Sequence, residues 1–351
     1  MKPRTGRFFE DFRLGERLVH PTPRTLGDGE AALYVALTGA RQIVHSAQPV
    51  AHALGHRSRP LDDLLVFHVA FGKTVPDVSL NAIANLGYAD VRFLAPVYAG
   101  DTVRAESEVI GLRENANGKS GVVYVRSDAY NQDGRPVLTW ARWVMVHKRD
   151  PAAPAPEPRV PDLPKEVAAD RLVVPDFLRA DGYETSATAC TDLWDDYAPG
   201  ERIDHPGGMT LDESDHTLAT KLYQNTARVH FDARMMAGTA FGKRLVYGGH
   251  VISVCRALSY DGLENVLAIA AINGGSHTHP TFAGDTLYAR TEVLDKWTLP
   301  GRKDVGALRL RLVGLKNLPA AQLESPTGAD GKPHPHVVLD LDYTVIMPRR
   351  S

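Results

Sequence analysis

The strongest constraint on how this chain folds is that it repeats itself. Gly15-Glu16-Arg17 returns as Gly200-Glu201-Arg202, His20-Pro21 as His205-Pro206, Thr25-Leu26 as Thr210-Leu211 and His45 as His230, all at one offset of 185 (for example 230 − 45). Upstream, Phe9-Glu10-Asp11-Phe12 faces Trp194-Asp195-Asp196-Tyr197, and downstream Pro96-Val97-Tyr98-Ala99-Gly100-Asp101-Thr102 returns as Pro280-Thr281-Phe282-Ala283-Gly284-Asp285-Thr286 at an offset of 184 (280 − 96). Register held over such a length marks a tandem duplication. Both copies must therefore adopt one order of elements, and the chain of 351 residues is long enough for two cores.

Between the copies, Pro151, Pro154, Pro156, Pro158, Pro161 and Pro164 stand among alanines and charges. A segment so poor in ladder donors is an extended, semi-rigid spacer. The domains read as 1–149, a proline-rich linker 150–165, and 166–351. With a net charge of −2, neither a nucleic acid nor an anionic membrane surface is expected as a partner. Two cysteines, Cys190 and Cys255, make no disulfide framework, which fits a reduced, cytoplasmic setting. The basic start Met1-Lys2-Pro3-Arg4-Thr5-Gly6-Arg7 leads through Phe8-Phe9 straight into Glu10 and Asp11, so no apolar core of signal-peptide length follows, and no run is suited to spanning a membrane.

Each copy carries helices before strands. Thr210 to Asp215 offers polar N-cap chemistry and acidic first-turn residues, with Leu218, Leu222 and Tyr223 following at helical spacing. Val251 to Leu258 is apolar nearly all round and reads as a buried helix. Period-two alternation then marks strands at 286–293, 307–313 and 337–347, and in the first copy at 102–110, 121–127 and 136–146, with Asn117-Gly118 as a hairpin turn. A sheet wrapped around one buried helix, built twice, is an α+β arrangement.

The chemistry concentrates between Tyr223 and His250. Asn225 stands five residues before His230, Asp232 follows, and Phe241-Gly242 leads to Gly248-Gly249 at the head of the apolar helix. These supply a water-positioning amide, a proton shuttle, and backbone N–H groups at a helix start that can meet an oxyanion. An amide is no general base, so Asn225 can orient water but cannot deprotonate it. The missing carboxylate could be Asp232, a group of the first copy or the substrate's own, or His230 could move both protons.

His230, Asp232, Phe241, Gly242 and Gly248 resemble the signature of the MaoC-like, R-specific enoyl-CoA hydratases. Asn225 departs from it where the family has its catalytic aspartate, and Arg228 where it has proline. The resemblance implies a double hot-dog fold, an acyl-CoA substrate, CoA as carrier with no other cofactor and no metal, and reversible addition of water across a thioester-conjugated double bond. It implies Gly248 and Gly249 as the oxyanion hole and His230, Asn225 and Asp232 as the catalytic group. Over the whole chain it implies interconversion of (2R,3S)-β-methylmalyl-CoA with mesaconyl-CoA and water. A homodimer also fits, because hot-dog sheets extend by pairing.

The first copy reads Thr38-Gly39-Ala40-Arg41-Gln42-Ile43-Val44-His45 in the same frame. Ala40 cannot act on a proton and Ala47 replaces the partner of Asp232, so the second copy is the catalytic half and the first shapes the acyl pocket, with His45 and Gln42 as substrate contacts. Arg41 and Arg228, close before their histidines, suggest an acyl group with a second carboxylate, since guanidinium binds carboxylate bidentately. The alternatives are a hydratase for monocarboxylic chains, a thioesterase, and an inactive acyl-CoA-binding protein. His277-Thr278-His279 and His334-Pro335-His336 have a spacing metals can use, but without a third ligand they read as surface histidines. Asn117-Gly118-Lys119-Ser120 lacks the first glycine of a phosphate loop, and Asp212 to His216 reads as helix capping.

Overall fold

The computed structural model describes residues 5–350, so the basic start Met1-Lys2-Pro3-Arg4 lies outside the described residues. The first copy runs β1 (Arg17–Thr25), α1 (Asp28–Thr38), α2 (Ile43–Ser46), α3 (Gln48–Ala53), α4 (Asp63–Thr74), β2 (Ala82–Phe93), β3 (Thr102–Glu114), β4 (Ser120–Tyr130) and β5 (Pro136–His147). The second runs β6 (Arg202–Thr210), α5 (Glu213–Leu222), α6 (Ala233–Ala237), α7 (Gly248–Leu258), β7 (Ala268–Ser276), β8 (Thr286–Thr298), β9 (Val305–Lys316) and β10 (Val337–Pro348).

All ten strands form one antiparallel sheet in the order β1-β3-β4-β5-β2-β7-β10-β9-β8-β6. The order reads as a palindrome of the two copies, with β2 and β7 joined at the middle through pairs such as Tyr88↔Gly275 and Val91↔Ile272. Each half of the sheet curls round its own helix, α4 or α7, and both helices are buried along most of their length. Their apolar side chains merge into one core that includes Phe67, Leu64, Ile252 and Val254. This is a double hot dog.

Four strands escaped the alternation pattern, for identifiable reasons. β1 and β6 are the outer edges, where Pro21, Pro23 and Pro206 lose no ladder bond by lacking an N–H. β2 and β7 are rich in Ala, Asn and Gly, which carry little strand propensity, and they form because the neighbouring copy buries them.

The repeated motifs are mostly structural. His20 and His205 hydrogen-bond Ser107 and Thr291 at 2.7 and 2.8 Å, tying each edge strand to its neighbour. Asp101 and Asp285 accept from the N–H groups of Tyr98 and Phe282 at 2.8 and 2.9 Å, closing turns whose glycines, Gly100 and Gly284, have φ of 96° and 92°. The linker lies along β3, with Arg159 and Leu112 exchanging backbone bonds of 2.7 and 2.9 Å. Beyond it, Leu178 and Ala180 pack against Ile43 and Val44 of the first copy and Ala307 of the second. Among the described residues no helix is long and apolar enough to cross a membrane.

Candidate active site

The segment after α5 begins with two unusual residues. Gln224 has φ of +52°, and the turn it makes drops Asn225 into the interior at 3 % exposure. The first copy holds this turn in place. Gly72 of α4 lies against the Tyr223 carbonyl, Lys73 Nζ donates to Gln224 Oε1, and Arg24 donates to the Leu222 carbonyl. Burial, with Arg24 nearby, lowers Lys73 to about 8.

Asn225 Oδ1 accepts from the Ala227 N–H at 2.9 Å, which fixes the amide orientation and leaves its NH2 as the group available to the cavity. A single 3-10 turn, Arg228–His230, then delivers the histidine. His230 Nδ1–H donates to the Leu245 carbonyl at 2.9 Å. That bond sets the tautomer, so Nε2 carries the lone pair. Burial pushes His230 down to about 4, so it is a neutral imidazole at pH 7. The ring packs edge-on to Tyr247, 5.5 Å between centroids.

Helix α7 begins at Gly248, immediately after Tyr247. The N–H groups of Gly248 and Gly249 accordingly have no acceptor one turn back, and no other acceptor among the described residues takes them. Only glycine fits here. A Cβ at Gly248 would lie 2.4 Å from His277 Nε2, and one at Gly249 would lie 2.4 Å from the Tyr247 ring and 2.6 Å from His68 Nδ1.

Asn225, His230, Tyr247 and Gly248 line a cavity of about 330 Å³ together with Phe71, Val75, Ser79, Asn85, Tyr88 and Arg142 of the first copy. Phe241 also lines it, and Gly242, with φ of +67°, makes the turn beside it. The second copy thus contributes the polar groups suited to proton transfer and the first copy one wall. Chemically, the site offers an unprotonated imidazole, an amide donor, free N–H groups at a helix start, and a mainly apolar chamber of acyl size.

Several sequence candidates lie elsewhere. Asp232 is exposed and caps α6, accepting from the Met235 N–H at 2.9 Å, so its carboxylate serves the helix and lines no part of the cavity. Arg228 is exposed and off the cavity wall. Arg41 sits on the surface, 3.3 Å from Asp261 and stacked 4.4 Å over Tyr260. His277 is not a surface residue, for it lines the cavity with a shielded Nε2 that lacks a hydrogen bond, and burial holds it near 4. Its companion His279 donates from Nδ1 to the Val337 carbonyl at 2.7 Å, while His334 and His336 stack on each other.

His45 and Gln42 belong to the degenerate counterpart. His45 Nδ1 faces the Pro60 carbonyl at 3.3 Å, the same arrangement as His230 with Leu245, since 245 − 60 is again 185. Here, however, Asp62 and Asp63 replace Tyr247 and Gly248, and Asp63 stands 3.8 Å from His45 Nε2. Burial opposes charge on this histidine, yet the nearby carboxylates of Asp63 and Asp62 hold it above the usual range. The spaces that His45 lines, two of about 10 Å³ and one of about 50 Å³, are far smaller than the 330 Å³ beside His230, whose lining includes neither His45 nor Gln42. His45 and Gln42 therefore do not reach the cavity of His230.

Sequence reasoning passed over Arg142, Asn85, Tyr88 and Tyr247. Arg142 did leave a signal. In β5 it lies in phase with Leu138, Trp140 and Val144, all 0 % exposed, so a charge occupies a core position of an alternating strand.

Fold and site together define a MaoC-like double hot dog. A crystal structure of a MaoC domain protein dehydratase from Chloroflexus aurantiacus superimposes with a TM-score of 0.97 at 55 % identity, covering 100 % of both chains. A Mycobacterium tuberculosis protein described as having a double hot-dog fold gives 0.76 at 24 % identity over 97 % of this chain and 98 % of its own, a likeness of fold alone. The model of the mesaconyl-CoA hydratase family matches residues 2–321, and the chain belongs to that family. It is 56 % identical to the β-methylmalyl-CoA dehydratase of Chloroflexus aurantiacus, covering 100 % of this chain and 99 % of the relative. It is 54 % identical to the mesaconyl-CoA hydratase of Cereibacter sphaeroides over 99 % and 100 %.

Proposed function

We propose that this protein is a hydro-lyase that interconverts β-methylmalyl-CoA with mesaconyl-CoA and water. The observation that carries the reading is the bond from His230 Nδ1 to the Leu245 carbonyl, which leaves Nε2 as a basic lone pair in the same acyl-sized cavity as Asn225 and Gly248. The names of the two full-length relatives support the substrate pair.

In hydration, water donates to His230 Nε2 while the Asn225 amide donates to the water oxygen. As the oxygen bonds to the β-carbon, Nε2 takes the proton and the π electrons move onto the thioester, forming an enolate. The N–H groups of Gly248 and Gly249 donate to the enolate oxygen without reorganising. The imidazolium then returns the proton to the α-carbon, which restores the thioester and the neutral histidine. A buried imidazolium is a strong acid, which favours this second step. Dehydration runs the same path backwards. One histidine moves both protons, so the absent aspartate is not needed. Because the thioester itself acidifies the α-position, the chemistry asks for no metal or redox cofactor, and CoA is the carrier.

Free thiols at Cys190 and Cys255 support a cytoplasmic setting. Pairing between hot dogs is already used inside the chain at β2 and β7, and the edges carry prolines. The homodimer expected from the sequence would therefore form on a face other than the sheet edges.

The test is ultraviolet absorbance of mesaconyl-CoA with purified protein, with product mass measured in parallel. Loss of the conjugated band with gain of one water supports the reading. Release of free CoA thiol would indicate a thioesterase, and binding without conversion an inactive carrier.

A further inference from the structure

Arg142 is a charge buried without a counter-charge. It is 0 % exposed, projects from β5 of the first copy and lines the cavity that holds His230. Its partners are neutral. Nη2 donates to Thr74 Oγ1 at 2.8 Å, both terminal nitrogens reach Ser79 Oγ at 3.3 Å, and the guanidinium lies 4.2 Å over the Phe71 ring. Nε–H has no acceptor, and among the described residues no Asp or Glu lies within ion-pairing distance.

Other arginines in this chain show what is missing. Arg290, 4 % exposed, has Asp204 at 2.5 Å. Arg256, in the degenerate counterpart, lacks an ion pair but has the charge of Asp62 close enough to act on it. An unpaired buried cation is costly, and the cost is recovered when the counter-ion arrives with a ligand. Burial brings Arg142 down to about 10, leaving it cationic at neutral pH. Beside it, Tyr88 is its cross-strand partner, and Asn85 lines the same cavity with both side-chain polar atoms lacking partners. These are groups for a carboxylate, not for a methyl end.

We propose that Arg142 recognises a second carboxylate on the acyl group and thereby sets the preference for dicarboxylyl over monocarboxylyl thioesters. The proposal rests on the hydro-lyase reading for its reacting substrate. It replaces Arg41 and Arg228 in that role, because neither reaches the cavity. In β-methylmalyl-CoA the free carboxylate is attached to the carbon that carries the hydroxyl, so gripping it also places the reacting carbon. A planar guanidinium does this bidentately, whereas an ammonium cannot.

The experiment has two arms. In the first, kcat/KM for mesaconyl-CoA and crotonyl-CoA is measured for wild type, Arg142→Met and Arg142→Lys. Removing one partner of a desolvated charge pair should lower the mesaconyl-CoA value in Arg142→Met by about 100-fold or more. The crotonyl-CoA value should fall at least about tenfold less than the mesaconyl-CoA value, and circular dichroism verifies folding. Equal losses on both substrates, or none on mesaconyl-CoA, would overturn the proposal. If Arg142→Met does not fold, Arg142→Lys decides, with a preference lowered about tenfold expected from loss of the planar fork and an unchanged preference counting against it.

The second arm needs no turnover. Calorimetric titration of wild type with succinyl-CoA and butyryl-CoA should show tighter binding of the dicarboxylyl thioester, and equal affinities would overturn the role of Arg142. If wild type hydrates neither enoyl thioester yet prefers succinyl-CoA, the hydro-lyase reading fails and the carboxylate contact stands.

Discussion

The α-carbon of Gly72 rests on the carbonyl of Tyr223 so closely that a Cβ there would lie 1.9 Å from the oxygen. One residue belongs to the central helix of the first copy, the other to the turn that places Asn225 in the second, so the two copies are joined at the site itself. In an ordinary helix interior Gly→Ala stabilises by up to about 1 kcal/mol. Here Gly72→Ala should instead destabilise by roughly 1–3 kcal/mol through overpacking, and lower kcat by displacing Asn225. Urea midpoints and kcat check it; a stabilised, fully active variant would show that the contact yields freely.

His230→Ala should lower kcat by at least about 100-fold, the scale of a lost general acid–base group, while circular dichroism stays native. Because burial holds His230 near 4 and the neutral form is the base, activity should be present above that value and lost below it. The kcat/KM profile should therefore run flat from pH 8 to about pH 5, and an inflection near the unperturbed 6.5 of a histidine would contradict the assignment.

Asp232→Ala separates a cap from a catalyst. Loss of the bond to the Met235 N–H should cost about 0.5–2 kcal/mol, with kcat within a few-fold of wild type. A fall of orders of magnitude would return Asp232 to the chemistry.

Gly248→Ala pushes a methyl into the His277 ring at the start of α7. Losing or shifting an oxyanion donor should reduce kcat by about 100-fold or more, with a much smaller change in KM. Steady-state kinetics on mesaconyl-CoA read both terms.

Stability should fall steeply in mild acid. Burial lowers His56, His230 and His277 to about 4 and His68 and His250 to about 3. Below their unfolded value near 6.5 the unfolded chain takes up protons that the folded chain refuses. Their contribution is thus whole above pH 6.5 and is lost as pH falls toward 4, at about 1.4 kcal/mol per pH unit for each. His45, raised in the folded state, acts in the opposite sense but is one group against these five together with His205 and His216, which burial also lowers. Urea midpoints that stay constant from pH 7 to 5 would refute this account.

Much of the architecture was written in the sequence because it depends on local patterns and on the repeat. The alternating strands, the apolar helix α7, the hairpin at Asn117-Gly118 and the equivalence of His45 with His230 are all readable from neighbours in the chain. So was the set His230, Asn225 and Gly248, because one short segment carries all three. Local signals could not show which side chains meet across the copies. Arg41, Arg228 and Asp232 stand beside the motif in sequence, yet a surface contact with Asp261, an exposed 3-10 turn and a helix cap take them out of the cavity. Arg142, 88 residues before His230 (230 − 142), reaches the cavity only because antiparallel register sets it opposite Tyr88 and the palindromic sheet folds both copies around one chamber. Periodicity reports which face of a strand is buried. What that face is buried against is decided by the packing of one copy on the other.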